Sequence, residues 1–157
     1  MPDPQVAPEN AGVHYGDWNS GLVKTPFYDY KLFFLGDREL PNTPSFTYIR
    51  MPPNGVAPRH AHSSSVACVV LEGRAWLPGG AVLGPGEFFV VDPEIQYGPF
   101  SAGPDGAVFL EIIGTVDGLF PVFDDPADPL TREMIDYLGN QFDDAGKPTQ
   151  VGQVTDG

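Results

Sequence analysis

The sequence predicts an all-β domain, an antiparallel sandwich or barrel, followed by one short helix. Three observations predict it. Short runs rich in β-formers recur between residues 29 and 114, each bounded by Gly, Pro, Asn or Asp. The 19 glycines and 18 prolines punctuate these runs instead of forming a low-complexity tract. After Gly114 the pattern changes: Asp128-Pro129 precedes apolar residues at helical spacing.

Residues 1–28 read as an N-terminal arm. Its first twelve residues are Pro-rich, polar and expected to be loose. The aromatic patch His14-Tyr15-Gly16-Asp17-Trp18 is expected to cap a barrel end or to pack on a neighbouring subunit. The barrel spans 29–114. Asp29 to Gly36 and Ser45 to Met51 are its first strands, and Pro52-Pro53-Asn54-Gly55 forces a turn. Val66 to Gly73 is a nearly continuous apolar strand that ends in a Leu71-Glu72-Gly73 turn. Ala75 to Leu77, Ala81 to Leu83, Phe88 to Asp92 and Ile95 to Phe100 follow as strands. Ser101 to Gly106 reads as a strong turn, and Ala107 to Gly114 as the last strand. Residues 115–157 form an extension. It holds a helix at about 129–138, with Leu130, Met134, Ile135 and Leu138 on one face and Gly139-Asn140 as the stop. Residues 140–157 read as a loose tail.

The formal net charge is −13, much of it in the C-terminal extension. Phosphate backbones and anionic lipid repel such a chain, so no nucleic acid and no membrane surface is expected as partner. No apolar run approaches the ~20 residues that span a bilayer. Cys68 is the sole cysteine, which allows no internal disulfide. The N-terminus has neither a basic nor an apolar signal region, so a cytoplasmic location is expected.

The candidate chemistry centres on His60-Ala61-His62. On an extended strand, residues i and i+2 share a face about 7 Å apart. Two imidazoles on one face can chelate an ion such as Zn, Fe, Ni or Cu, or serve as two hydrogen-bonded histidines at a barrel mouth.

Gly55, His60-Ala61-His62, Gly73 and Gly86-Glu87 together resemble the motifs of the cupin superfamily, small antiparallel jelly-roll β-barrels. The resemblance covers about residues 29–114 and implies a cupin-type barrel with the short C-terminal helix outside it. It also implies a divalent metal (Fe, Zn, Ni or Mn) on His60 and His62. The chain departs from the pattern in the second motif's Pro-x-Gly, which is Asp92-Pro93-Glu94 here, and at two ligand positions. The position of the family's metal-binding Glu falls on Val66, which cannot ligate, and its last histidine falls on Tyr97. Tyr97 is therefore the candidate third ligand or a proton-transferring group, although a phenol ionises near pH 10 unless a cation lies close. A metal held this way is expected to be weakly bound. The resemblance further implies an enzyme of dioxygenase, lyase or isomerase type on a small oxygenated or aromatic molecule. A non-catalytic binding or sensor domain and a metal-independent acid–base enzyme are the alternatives. Edge strands and an N-terminal arm imply a homodimer.

Glu111 sits within an apolar strand, where a carboxylate needs a partner or its pKa rises. Arg50 or Arg59 could pair with it; otherwise it faces the cavity as a proton-transferring group. Cys68 and Glu72 share the histidines' parity. Cys68 reads foremost as a small apolar residue lining the cavity and Glu72 as a rim residue. Ser63-Ser64-Ser65 has no nucleophile context and reads as loop. Phe46, Tyr48, Trp76, Phe88, Phe89, Phe100 and Phe109 read as core and pocket wall.

Overall fold

A computed structural model describes residues 16–140. Val23–Lys24 (β1) pairs with Asp29–Phe34 (β2), and β2 pairs with Ser45–Met51 (β3). The chain then turns at Pro52–Gly55, where Asn54 adopts φ 58°, into the short strands Val56–Ala57 (β4) and His60–Ala61 (β5). Val66–Trp76 (β6), Val82–Leu83 (β7), Phe88–Val91 (β8) and Phe100–Ile113 (β9) follow. Val122–Phe123 (β10) and the helix Pro129–Gly139 (α1) complete the order. One eight-stranded sheet runs β1-β2-β3-β9-β6-β7, with β4 also on β9 and β8 on β6; β5 and β10 form a separate pair. Every pairing is antiparallel.

Alternation along the strands decides which residues meet. Thr47, Ile49 and Met51 of β3, Cys68 of β6, and Phe109, Glu111 and Ile113 of β9 all face one cavity. Their neighbours face outward. Two buried clusters flank the cavity: Val70, Ala75, Phe100 and Phe109 on one side, and Leu32, Val66, Ile113 and Leu119 on the other.

Three turn and strand expectations differ from the structure. Leu71-Glu72-Gly73 is no turn: β6 continues to Trp76 with register shifts between Val70 and Glu72 and between Gly73 and Ala75. Ser101 to Gly106 is no turn either, because β9 runs through it. Ala107 opposes Gly73 while Ala102 opposes Ala75, so residues 103–106 bulge out against Arg74 alone. There β9 exchanges its neighbour β3 for β4. Turn-type residues here bend the sheet into a barrel corner instead of reversing it. Ile95 to Pro99 is irregular, with a single bridge from Tyr97 to His60, and Phe100 already belongs to β9.

The outer face is partly apolar. Phe88 is 62% and Trp76 50% exposed, so neither is pocket wall, contrary to their hydrophobic appearance in the sequence. Phe46 stacks on Phe33 across the outer face at 4.8 Å. Tyr48 is covered by Trp18, stacked at 5.3 Å. The described part of the N-terminal aromatic patch thus lies on the sheet; His14 and Tyr15 lie outside the described residues. Beside it Lys31 is fully buried, its Nζ donating to the carbonyls of Asp17 and Ser20. The expected loose segment 1–12 and residues 141–157 of the expected tail 140–157 also lie outside the described residues, while Asn140 caps the helix.

Asp128 caps α1: its carboxylate accepts from the Thr131 N–H and hydroxyl, both at 3.0 Å, with Pro129 following. Asp128→Ala is expected to cost about 1 kcal/mol, seen as a lower urea midpoint at unchanged slope.

Candidate functional site

The cavity holds about 140 Å³ and is lined mainly by apolar side chains, with His60, His62 and Glu111 among its polar groups. The main sheet forms its walls. The β5–β10 pair crosses its mouth, bringing Phe123 opposite His60. Helix α1 covers it with Met134, Tyr137 and Leu138, which recur at helical spacing.

Both histidines are buried, at 8% and 4% exposure, and their rings stand 5.1 Å apart. The Nδ1 of His60 lies 2.6 Å from the Pro58 carbonyl, and that of His62 lies 2.7 Å from the Gly118 carbonyl. A carbonyl can only accept, so each Nδ1 carries the proton and each Nε2 presents a lone pair. Among the described residues the Nε2 of His62 is buried with no partner. Burial lowers the pKa of both imidazoles, only partly offset by the carbonyl bonds, and each is neutral at pH 7.

Glu111 lies across from Thr47 on β3 and Cys68 on β6. Neither arginine considered from the sequence reaches it. Arg50 donates to Tyr48 and Asn19 on the outer face, and Arg59 pairs with Asp124 at 3.3 Å. Glu111 is half-buried and lines the cavity. Burial pushes its pKa up, opposed by His60. Burial likewise raises the Cys68 thiol well above its usual value, which makes it an inert wall residue. Glu72 is exposed and does not line the cavity.

Tyr97 sits behind the histidines. Its ring centroid is 4.5 Å from that of His60, and the two backbones exchange hydrogen bonds of 2.9 and 3.0 Å. It does not line the cavity, and its hydroxyl is buried without a partner. Burial drives its pKa far up, so the phenol stays neutral. The structure therefore brings His60, His62 and Glu111 to one cavity and leaves Tyr97 packed against His60.

Sequence reasoning missed Tyr28, Tyr30 and Tyr137, which also line the cavity. Tyr28 and Tyr30 share the parity of Leu32, and that alternation was the available signal. Burial raises both phenols, Tyr30 to about 12. No sequence signal marks the Pro58 and Gly118 carbonyls that orient the imidazoles.

Fixing Nδ1 on a carbonyl is how proteins orient metal-ligating histidines, and the unpartnered Nε2 of His62 suits a ligand atom. The remaining donors do not complete a shell. Among the described residues no three His, Cys, Asp or Glu side chains converge to hold an ion. A divalent ion on two neutral nitrogens would keep its full charge in an apolar cavity, which is costly. The donor set thus fits two positions of a metal shell and does not fit a tightly held resident ion.

The cupin domain family model matches residues 47–113. No curated protein matches the sequence significantly. Solved structures share the fold. The polyketide cyclase RemF from Streptomyces resistomycificus is 19% identical at TM-score 0.53, over 73% of this chain and 81% of that one. KdgF from Halomonas sp. is 18% identical at TM-score 0.50, over 67% and 92%. Oxalate decarboxylase from Bacillus subtilis, described with Mn(II) centres, is 18% identical at TM-score 0.53, over 76% and 34%. At such identities these neighbours speak for the fold alone. The family match over residues 47–113, the antiparallel jelly-roll barrel and the paired histidines inside it agree: this part of the chain is similar to a cupin domain, and the barrel is of the cupin type.

Proposed function

We propose that this protein is an enzyme acting on a small oxygenated or aromatic molecule by acid–base chemistry, without a resident metal. One observation carries the reading: His62 lines the cavity, and its Nε2, an acceptor fixed by the Gly118 carbonyl, is buried with no partner among the described residues. A neutral imidazole so held is a general base for a ligand O–H or acidic C–H. Glu111 faces the same cavity and is the candidate general acid, since burial pushes its carboxyl toward the protonated form. Opposed carboxyl and imidazole groups suit proton transfer across one bound molecule, as in isomerase, cyclase or lyase steps. His60 is the second base. Tyr97 acts through it as a positioning residue, since its ring and backbone hold His60 in place.

The test is proton exchange. The purified protein, incubated in deuterated water with small ketones and phenols, is expected to speed exchange of acidic C–H positions. His62→Gln should lower the rate at least tenfold with the far-UV spectrum unchanged. A rate indifferent to His62, His60 and Glu111 substitutions would leave only the non-catalytic binding domain.

The second reading places a weakly held divalent ion (Fe, Zn, Ni or Mn) on the Nε2 atoms of His60 and His62, and the same unpartnered nitrogen favours it. Such an ion would supply Lewis-acid polarisation of a bound oxygen. Calorimetry at pH 6 and pH 8 checks it: binding should strengthen with pH, as protons leave the imidazoles, and vanish in His60→Ala. Micromolar affinity would favour this reading over the metal-free one. The homodimer is supported by the apolar outer face at Phe88 and Val90; a single 16.9 kDa species in sedimentation would refute it.

A further inference from the structure

We propose that the cavity selects an uncharged molecule of about one six-membered ring that carries a hydrogen-bond donor, and that it rejects carboxylates and phosphates. The inference rests on reading the cavity as the ligand site, and it names the class of ligand.

Size sets the first limit. An apolar protein cavity of about 150 Å³ holds one benzene, and this one is about 140 Å³. The aromatic walls Phe100, Phe109 and Phe123 offer ring faces and edges to such a guest.

Charge sets the second. Among the described residues no Lys or Arg lines the cavity. The cations that could have served it are engaged elsewhere. Lys31 is on the same strand as the lining residues Tyr30 and Leu32, but it points to the outer face and is held by the carbonyls of Asp17 and Ser20. Arg50 lies against Tyr48, Arg59 against Asp124 and Lys24 against Asp29. An anionic ligand would lose its water and meet no counter-charge, a cost that ordinarily excludes it. Glu111 supplies no counter-charge in either protonation state: ionised it repels an anion, and protonated it offers only one hydrogen bond.

Hydrogen bonding sets the third. With its Nδ1 committed to Gly118, His62 presents only a lone pair, and no donor among the described residues reaches it. A ligand bearing O–H or N–H satisfies that nitrogen; a pure hydrocarbon leaves it orphaned at a cost of about 1–3 kcal/mol, or roughly 5- to 150-fold in affinity.

The experiment titrates the purified chain with phenol, toluene and benzoate, before and after chelation. It reads affinity by calorimetry and location by the imidazole 15N resonances of His62. Phenol is expected to bind and shift the Nε2 resonance, toluene to bind at least fivefold more weakly, and benzoate at least tenfold more weakly. Benzoate bound as tightly as phenol, with the His62 shift, would overturn the charge rule while leaving the cavity as the ligand site. Benzoate binding that chelation removes would overturn it too, by showing a metal as the counter-charge. Toluene equal to phenol would overturn the donor requirement. If no probe moves the His62 resonances, the inference and the ligand-site reading beneath it both fail.

Discussion

Gly73→Ala is expected to destabilise the protein by more than about 4 kcal/mol, a range reached only by a few mechanisms. Gly73 lies within β6 at φ +73°, and a Cβ there would stand 2.2 Å from the Gly106 carbonyl oxygen and 2.9 Å from the Ala107 Cα. The left-handed backbone alone costs a non-glycine residue about 1–2 kcal/mol. The rest comes from overlap with backbone atoms, which no rotamer change can relieve. Gly106 itself has φ +80°, and its own Cβ would meet the Met51 carbonyl at 2.8 Å, so neither strand can retreat freely. Gly79→Ala is the control: its φ is +84°, yet nothing lies within 4 Å of the added carbon. The difference between the two urea midpoints isolates the strand contact. Equal losses would mean that β6 and β9 yield at the bulge and that the close approach is not structural.

The same glycines explain where the sequence could be read and where it could not. Strand runs such as Ser45–Met51 and Phe88–Val91 were legible because β-formers and flanking breakers coincide. Gly73 and the Gly103–Gly106 run looked like turns because a bulge and a turn need the same residues: both require φ > 0 or a lost ladder bond. Only the partner strand tells them apart, and that information is non-local. His60 and His62 were legible as a same-face pair. Their tautomers were not, since the carbonyls that set them belong to Pro58 and to the distant Gly118. Glu111 was legible as a carboxyl needing an explanation, but its lack of an arginine partner depends on where β3 and β9 place Arg50. Across that pair Arg50 opposes Val108, and Glu111 opposes Thr47. Trp76 and Phe88 show the limit of hydrophobicity as a guide: parity puts them on the outer face, and apolar character alone carries no direction.

Glu111→Gln is expected to be more stable relative to the parent at pH 8 than at pH 4. The groups facing the carboxyl are Thr47 and Cys68 across the strands, together with His60, Tyr28 and Tyr97, and none is a permanent cation. Burial therefore raises the folded pKa of Glu111 above that of the unfolded chain. The unfolded carboxyl loses its proton near pH 4.3, and from there upward the unfolded state is favoured. The stability of the protonated group is fully present below that pH and is lost as pH rises through the folded pKa. The histidines act in the opposite sense. Their folded pKa values are depressed, so their contribution is present above the unfolded value near 6.5 and is lost as pH falls toward the folded values. In the parent the two slopes oppose each other between about pH 4.3 and 6.5. Glu111→Gln removes the carboxyl's slope and leaves the histidines', so the variant's stability should climb from acid to neutral pH and then level. Urea midpoints of both proteins from pH 4 to pH 8 test this through the pH dependence of their difference, which cancels any fixed cost of the amide. A difference that stays constant, or that swings toward the parent at alkaline pH, would mean that Glu111 is an ionised and partnered carboxylate in the fold and cannot donate the proton assigned to it.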